Sequence, residues 1–124
     1  MSNIHPHPVQ RGNEGERWAI MALLCGGYTI LARQWRMPGG ELDVVARDRE
    51  GYAFIEVKTR YGANRGDPAE AVDGRKLRFI HRAAEQWLAR HAGTLDINWR
   101  VDVVAVEMHK GKPYRISIYQ FYEV

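Results

Sequence analysis

A pair of strand-forming segments joined by a short turn constrains the fold of this chain more than any other feature. Residues 41–47 and 52–60 both contain strand-forming apolar side chains, such as Val44, Ile55 and Val57, and Asp48-Arg-Glu-Gly51 stands between them. This pattern predicts a tight β-hairpin. The turn also decides the register, because a shift of one residue would move every side chain to the opposite face of the sheet.

Helical and strand periodicities continue on both sides of the hairpin. The predicted elements are a helix from Asn13 to Gly26-Gly27, strands over 28–35, 41–47 and 52–60, a helix from Gly74 to about residue 90, and strands over 99–107 and 114–122. The order α-β-β-β-α-β-β predicts a mixed β-sheet flanked by helices, in an α/β or α+β arrangement of layers. The apolar side of the second helix is predicted to consist of Leu77, Ile80, His81, Ala84, Trp87 and Leu88.

The length of 124 residues favours one domain, predicted over 12–124, after a flexible tail at 1–11 that contains two prolines and has no periodicity. Residues 61–73 are predicted to form an exposed, mobile loop. The single Cys25 excludes an internal disulfide, no segment resembles a signal peptide, and no apolar run is long enough to cross a membrane. We therefore expect a cytoplasmic protein.

The charge balance is mildly basic. Eighteen Lys and Arg against 15 Asp and Glu give a net charge of +3, with 45% hydrophobic and 27% charged residues. This composition is typical of a globular protein. Its charge is compatible with a polyanionic partner without demonstrating one.

The hairpin brings acidic residues together. If its loop is Arg49-Glu50, Asp43 faces Glu56 and Glu41 faces Lys58. Directly opposed carboxylates repel each other and need a cation between them. Nearby Lys58 and Arg60 could supply that charge, and so could Mg²⁺, which takes oxygen ligands and is commonly held by one or two carboxylates. The alternative from the same residues is an ordinary hairpin face with a Glu41–Lys58 ion pair.

Glu16 lies near the start of the first helix, where a carboxylate can simply be stabilised by the helix dipole. Strand 99–107 carries Asp102, which either orients site residues or is a buried structural aspartate paired with an arginine.

An ordered set of motifs resembles one known family. The motifs are Gly15-Glu16, Gly40-Glu41-Leu42-Asp43, Glu56-Val57-Lys58-Thr59-Arg60, Gly66-Asp67-Pro68-Ala69-Glu70-Ala71-Val72 and Lys76. They resemble the YraN-type family of small bacterial proteins, which is grouped by resemblance with the PD-(D/E)xK nuclease superfamily, close to archaeal Holliday junction resolvases. The similarity runs from Asn13 to about Val106. One departure is Leu42, which stands where the superfamily pattern has a proline.

The resemblance implies an α/β fold with a restriction-endonuclease-like core and a metal-dependent endonuclease acting on nucleic acid, with branched or recombination-type DNA as one candidate substrate. It implies that Glu16, Asp43, Glu56 and Lys58 match the acidic and lysine positions of the superfamily. Asp43 and Glu56 would then hold Mg²⁺ or Mn²⁺ together with the Val57 carbonyl. Lys58 would orient or deprotonate water or stabilise developing charge, and Glu16 would hold a metal-bound water or complete the ligand set.

Basic residues near this site have two interpretations. They are Arg60 and, on the second helix, Arg75, Lys76, Arg78 and Arg82. These side chains either contact phosphates or form an ordinary solvated helix surface. Two other functions stay open, a nucleic-acid-binding module without catalysis and a structural or partner-binding homodimer. The dimer would use the aromatic C-terminal strand, with Tyr114, Tyr119, Phe121 and Tyr122.

Overall fold

The computed structural model of the chain describes residues 8–62 and 72–123, with side chains from Glu14 onward. Its elements are α1 (Pro8–Cys25), β1 (Thr29–Met37), β2 (Gly40–Asp48), β3 (Gly51–Tyr61), α2 (Gly74–His91), β4 (Trp99–His109) and β5 (Lys112–Tyr119). The strands form one sheet in the order β1-β2-β3-β4-β5, in which β3 and β4 are parallel and the other pairs are antiparallel. The predicted α/β fold class and the order α-β-β-β-α-β-β are confirmed.

The hairpin between β2 and β3 has the predicted register. Asp48 pairs with Gly51 across the Arg49-Glu50 loop, and the ladder continues to the pair Val44–Ile55. Both strands lie inside the sheet, so their middle residues are covered on two faces, and the segments 44–46 and 53–55 are apolar and buried.

Each face of the sheet is covered by one helix. Ala19 and Leu23 of α1 pack with Val44, Ile55 and Val104 on one side. On the other side, the buried residues of α2 pack with Leu42, Val45, Phe54 and Val101. The long crossover that a parallel pair requires is supplied by α2, which links β3 to β4. The sheet therefore has a core on both faces, and residues near the ends of its central strands can reach both helices.

Helix boundaries and faces differ from the predictions in two places. Helix α1 begins at Pro8, five residues before Asn13, because proline is well accepted in the first turn of a helix. Residues 8–11 are therefore helical rather than part of the predicted tail, whereas residues 1–7 lie outside the described part. The buried face of α2 contains Phe79 and Ala83, while His81, predicted in the core, is exposed and its ring meets Trp99 edge-on at 5.2 Å.

The predicted end of α1 is confirmed. Gly27 has φ 90°, and the N–H groups of Gly27 and Tyr28 bond to the carbonyls of Leu24 and Leu23. This is the Schellman arrangement, which favours glycine at the left-handed position. Cys25 is exposed at this end. Of the predicted 61–73 loop, Tyr61 belongs to β3, and residues 63–71 lie outside the described part.

A buried ionic network stabilises the far end of the sheet. The Arg100 guanidinium bonds Asp102 at 3.0 Å and Asp48 at 2.7 Å, and Asp102, which is fully buried, also accepts bonds from the Tyr28 hydroxyl and the Phe121 N–H. Asp102 is thus a structural aspartate paired with an arginine, which was one of the two interpretations of the sequence.

The C-terminal aromatic residues have mixed environments. Tyr114 and Phe121 are exposed, whereas Tyr119 and Tyr122 pack against buried Val72 and Val103. Two of the four aromatic residues predicted to form a homodimer interface, Tyr119 and Tyr122, therefore pack within the chain itself. The homodimer stays a prediction. Neither described helix has the length and apolarity of a membrane span.

Candidate functional site

The site begins where β2 and β3 separate. Beyond the pair Val44–Ile55 the next opposed residues would be Asp43 and Glu56, but the described ladder stops there. The Asp43 carboxylate instead accepts the Val57 N–H at 2.8 Å, so a side chain replaces the main-chain partner. Glu56 is 7% exposed on the neighbouring strand. The predicted juxtaposition of Asp43 and Glu56 is therefore present in the structure.

These two carboxyl groups interact strongly. Burial, the charge of Glu56 and a hydrogen bond to Glu56 raise the pKa of Asp43 from 3.8 to about 8, against the opposing effects of the Val57 N–H and Lys76. Without a further cation, Asp43 therefore retains a proton near neutral pH. A hard divalent cation bound between the two carboxylates would neutralise their negative charge and remove the repulsion between them.

Glu41 does not belong to this pair. Its carboxylate lies 3.3 Å from Arg36 of β1, on the opposite side of β2 from Lys58. The alternative of a Glu41–Lys58 ion pair is therefore wrong, because the strands part before that position is reached.

Lys58 follows Glu56 by two residues on β3, so both side chains lie on the same side of the strand. Lys58 is half-buried, and its ammonium group has no ion pair or hydrogen bond with another residue of the described part. Arg60 continues the same side of β3 and is also half-buried. The predicted lysine thus lies on the same side of β3 as Glu56, two residues further along the strand.

Lys76 has a different place from the one predicted. Its Nζ lies 3.4 Å from Glu56 Oε2 and 5.6 Å from the centre of the Phe79 ring. Asp73 caps α2 by accepting the Lys76 N–H, and the ion pair of Lys76 with Glu56 places this first turn beside the acid pair. Lys76 is therefore part of the acidic site and not of the outer basic face. Its spacing of three and four residues from Phe79 and Ile80 is the feature of the sequence from which the inward side could have been predicted.

The outer side of α2 carries the remaining basic residues. Arg75, Arg78 and Arg82 are exposed. Arg78 and Arg82 line a groove of about 700 Å³ together with Gly74, Leu77 and His81. The predicted basic face therefore consists of three arginines, with Lys76 turned away from it.

Glu16 approaches the acids from α1. Its side chain is buried, and its two carboxylate oxygens are bonded separately by Arg33 Nε and Gln34 Nε2 of β1, each at 3.3 Å. Burial raises the pKa of Glu16, the bond from Gln34 lowers it, and the charge of Asp43 raises it further. Glu16 is thus close enough to Asp43 to be influenced by its charge. The sequence predictions did not include Arg33 or Gln34.

A close contact between α1 and β3 holds Glu16 in this position. Gly15 lies directly against Thr59, so a Cβ at Gly15 would overlap the Thr59 hydroxyl. The absence of a side chain allows the helix to lie on the strand that carries Glu56 and Lys58.

We expect Gly15→Ala to displace α1 from β3 and to lower both stability and any activity of the site. Overpacking of this kind costs about 1–3 kcal/mol. The measurement is urea unfolding, with Gly74→Ala as the control, because a Cβ at Gly74 meets its nearest atom, Arg78 Nη1, at 3.4 Å. Equal stability of Gly15→Ala and the wild type would contradict the close contact.

The donor set fits a hard divalent ion. Asp43 and Glu56 offer carboxylate oxygens at one point, and Mg²⁺ is commonly held by one or two carboxylates with water and substrate oxygens. The described residues contain no cluster of three or more His, Cys, Asp or Glu side chains at metal-binding spacing. Any ion here would therefore depend on two carboxylates, with Glu16 farther out. The Val57 carbonyl stays a predicted ligand.

Comparisons with known proteins give one family. The model of the uncharacterised protein family UPF0102 matches residues 15–106. The chain is 43% identical to a UPF0102 protein of Kineococcus radiotolerans, over 86% of this chain and 87% of that protein. It is 46% identical to a UPF0102 protein of Frankia alni, over 86% and 88%. Among solved structures, it is similar to a repair endonuclease from Pyrococcus abyssi, with 16% identity, a TM-score of 0.46, and coverage of 90% of this chain and 42% of the other.

The match to the family model includes Glu16, Asp43, Glu56, Lys58 and Lys76, which are the residues that the fold brings together from four elements. The resemblance of the sequence motifs to the YraN-type family is confirmed. The chain belongs to the uncharacterised protein family UPF0102.

Proposed function

We propose that this protein is a metal-dependent nuclease that hydrolyses phosphodiester bonds in nucleic acid. The observation that carries the proposal is the contact between Asp43 and Glu56 at the point where β2 and β3 separate, with Lys58 on the same side of β3 as Glu56. Two carboxylates in contact destabilise a fold unless a proton or a cation lies between them. A bound metal ion would offset the repulsion between the two carboxylates, so metal binding is the function that explains why they lie in contact.

Each residue of the site has a proposed role. Asp43 and Glu56 hold Mg²⁺ or Mn²⁺, with the Val57 carbonyl as a third ligand. When bound, such an ion helps to generate the nucleophile and neutralises charge that develops on the phosphate. Lys58 Nζ donates a hydrogen bond to the attacking water or to a phosphate oxygen. Glu16 accepts a hydrogen bond from a water molecule in the site or completes the ligand set.

The cationic residues around the acids suit a polyanionic substrate. Lys76 forms an ion pair with Glu56 in the absence of a metal, and its ammonium group is proposed to contact a substrate phosphate. Arg75, Arg78 and Arg82 extend positive charge along the exposed side of the same helix. Arginine binds phosphate oxygens in a bidentate manner, so these residues and Arg60 are proposed to contact the backbone of the substrate. DNA, including branched DNA, is the proposed substrate on the basis of the superfamily resemblance.

Binding of Mn²⁺ is expected to strengthen as the pH rises. Below about pH 8 the Asp43 carboxyl retains a proton that the metal must displace, so the apparent affinity should increase by up to about tenfold per pH unit and level off above that pH. Isothermal titration between about pH 6 and about pH 8.5 measures this dependence. An affinity that is constant over this range would contradict the proposed competition between proton and metal.

A second candidate is a nucleic-acid-binding module without catalysis. It is favoured by the Lys76–Glu56 ion pair, which already supplies a positive charge to the acids, and by the absence of a larger ligand cluster among the described residues. This candidate predicts DNA binding at low salt that is unaffected by Mn²⁺, and no saturable binding of the metal.

A cleavage screen tests the proposed function. Branched, flapped and single-stranded DNA and RNA substrates are incubated with Mg²⁺ or Mn²⁺, and the wild type is compared with a Glu56→Gln variant purified in the same way. Cleavage by the wild type alone is the expected result. Equal cleavage by the two proteins would identify a contaminating nuclease, and no cleavage of any substrate would favour the binding module.

A further inference from the structure

The backbone of β1 is strained at one position beside the acid pair. Gln34 has φ 51°, in the left-handed region that residues other than glycine rarely adopt. Lys110 has a similar φ of 52°, but it lies in the tight turn between β4 and β5, where that conformation is usual. Gln34 lies inside a strand, so a turn does not account for its conformation.

The position of Gln34 relates it to Asp43. β1 pairs with β2 through Arg33–Val44 and Trp35–Leu42, so the register places Gln34 opposite Asp43. This pair is missing from the ladder within the described strands. The irregularity of β1 therefore coincides with the point where Asp43 leaves the β2–β3 ladder to bond the Val57 N–H.

The strained conformation makes a particular contact possible. Consecutive residues of a regular strand point to opposite faces of the sheet. Arg33 and Gln34 are consecutive, yet both donate hydrogen bonds to the carboxylate of Glu16, Arg33 to Oε1 and Gln34 to Oε2. The positive φ at Gln34 breaks the alternation and brings its amide to the same side as Arg33. Strain of this type persists where the surroundings enforce it and is frequent at functional sites.

We propose that Gln34 is a positioning residue for Glu16, which it orients beside the Asp43–Glu56 pair by holding one carboxylate oxygen while Arg33 holds the other. This inference rests on the proposed function. Because each oxygen has its own donor, rotation of the carboxylate is restricted, and one lone pair of each oxygen can be directed to the site. Gln34 acts through Glu16 and is not itself a ligand.

The variant that tests this role is Gln34→Asn. Asparagine tolerates the left-handed conformation and keeps an amide, but its side chain is one methylene shorter and does not span the distance to Glu16. We expect an unchanged melting temperature without metal and an affinity for Mn²⁺ that is about tenfold weaker, the lower end of the effect of losing an outer-shell partner. Lys110→Asn is the matched control at another non-glycine residue with positive φ, and its affinity for Mn²⁺ should equal that of the wild type.

A double-mutant cycle with Glu16→Gln separates positioning from a structural role. If Gln34 acts through Glu16, Gln34→Asn weakens Mn²⁺ binding in the wild type but has little further effect in the Glu16→Gln background. The same loss in both backgrounds, or a lower melting temperature with unchanged Mn²⁺ affinity, would overturn the inference while leaving the proposed function intact. Failure of the wild type to bind Mn²⁺ would overturn both.

Discussion

Asp43→Asn is expected to raise the stability of the metal-free protein at about pH 8 while abolishing metal binding and cleavage. The asparagine oxygen can still accept the Val57 N–H that Asp43 accepts at 2.8 Å, and the new amide can donate to Glu56. The substitution therefore keeps the hydrogen bond to the Val57 N–H, where β2 and β3 separate, and removes the repulsion between residue 43 and Glu56. If a substitution abolishes function and increases stability, the original residue serves function rather than the stability of the fold.

The sign of the effect follows from the pKa of Asp43. In the unfolded chain this carboxyl releases its proton near its ordinary pKa of 3.8, whereas in the folded protein it does so at about 8. Between these values the unfolded state is favoured increasingly, so the wild type loses up to about 1.4 kcal/mol of stability per pH unit from this group as the pH rises. Above about pH 8 the stability of the wild type no longer falls because of this group. The Asp43→Asn variant lacks the titrating carboxyl, so it does not lose stability in this way.

Urea unfolding at about pH 5 and about pH 8, with a chelator present, measures this difference. The advantage of Asp43→Asn over the wild type should be larger at the higher pH. Asp96→Asn, at an exposed loop position, is the matched control and should unfold like the wild type at both values. Destabilisation by Asp43→Asn at both pH values would show that the carboxylate is required by the fold itself.

Lys58→Ala is expected to abolish metal-dependent cleavage while leaving folding and nucleic-acid binding largely intact. The ammonium group has no ion pair or hydrogen bond with any other described residue, so its removal breaks no polar contact of the described structure. If Lys58 orients the water or stabilises developing charge, its loss should slow cleavage by at least about 100-fold. The measurement is the initial rate on a substrate identified in the cleavage screen, together with DNA binding at low salt.

Lys112→Ala is the control for Lys58→Ala, because it removes the same charge from an exposed position on β5. It should cleave at the wild-type rate. Full activity of Lys58→Ala would contradict the proposed role of this lysine, and equal losses in the two variants would indicate a general effect of net charge.

The hairpin register could be predicted from the sequence because a two-residue loop leaves little freedom in strand pairing. That register brought Asp43 to Glu56, and the spacing of two residues put Lys58 on the same side as Glu56. The order of helices and strands followed from periodicity and from clear boundary signals, such as Gly26-Gly27 at the end of α1. The hairpin register and the order of the elements depend on local sequence, so they could be predicted without knowledge of the tertiary contacts.

Other features of the site depend on contacts that local patterns do not contain. The bonds from Arg33 and Gln34 to Glu16 require a positive φ at Gln34, and glutamine is not a residue that signals such a conformation. The contact of Lys76 with Glu56 depends on the rotation of α2 about its axis. The burial of Phe79 instead of the predicted His81 shows that the buried face of α2 is rotated from the predicted one.

The central claim is that Asp43 and Glu56 together hold a divalent metal ion. Isothermal titration of Mn²⁺ into the metal-free protein at about pH 8, for the wild type and Asp43→Asn in parallel, tests it most directly. We predict saturable binding of Mn²⁺ by the wild type and none by Asp43→Asn. Equal binding by the two proteins would place the metal elsewhere, and no binding by the wild type would contradict the claim.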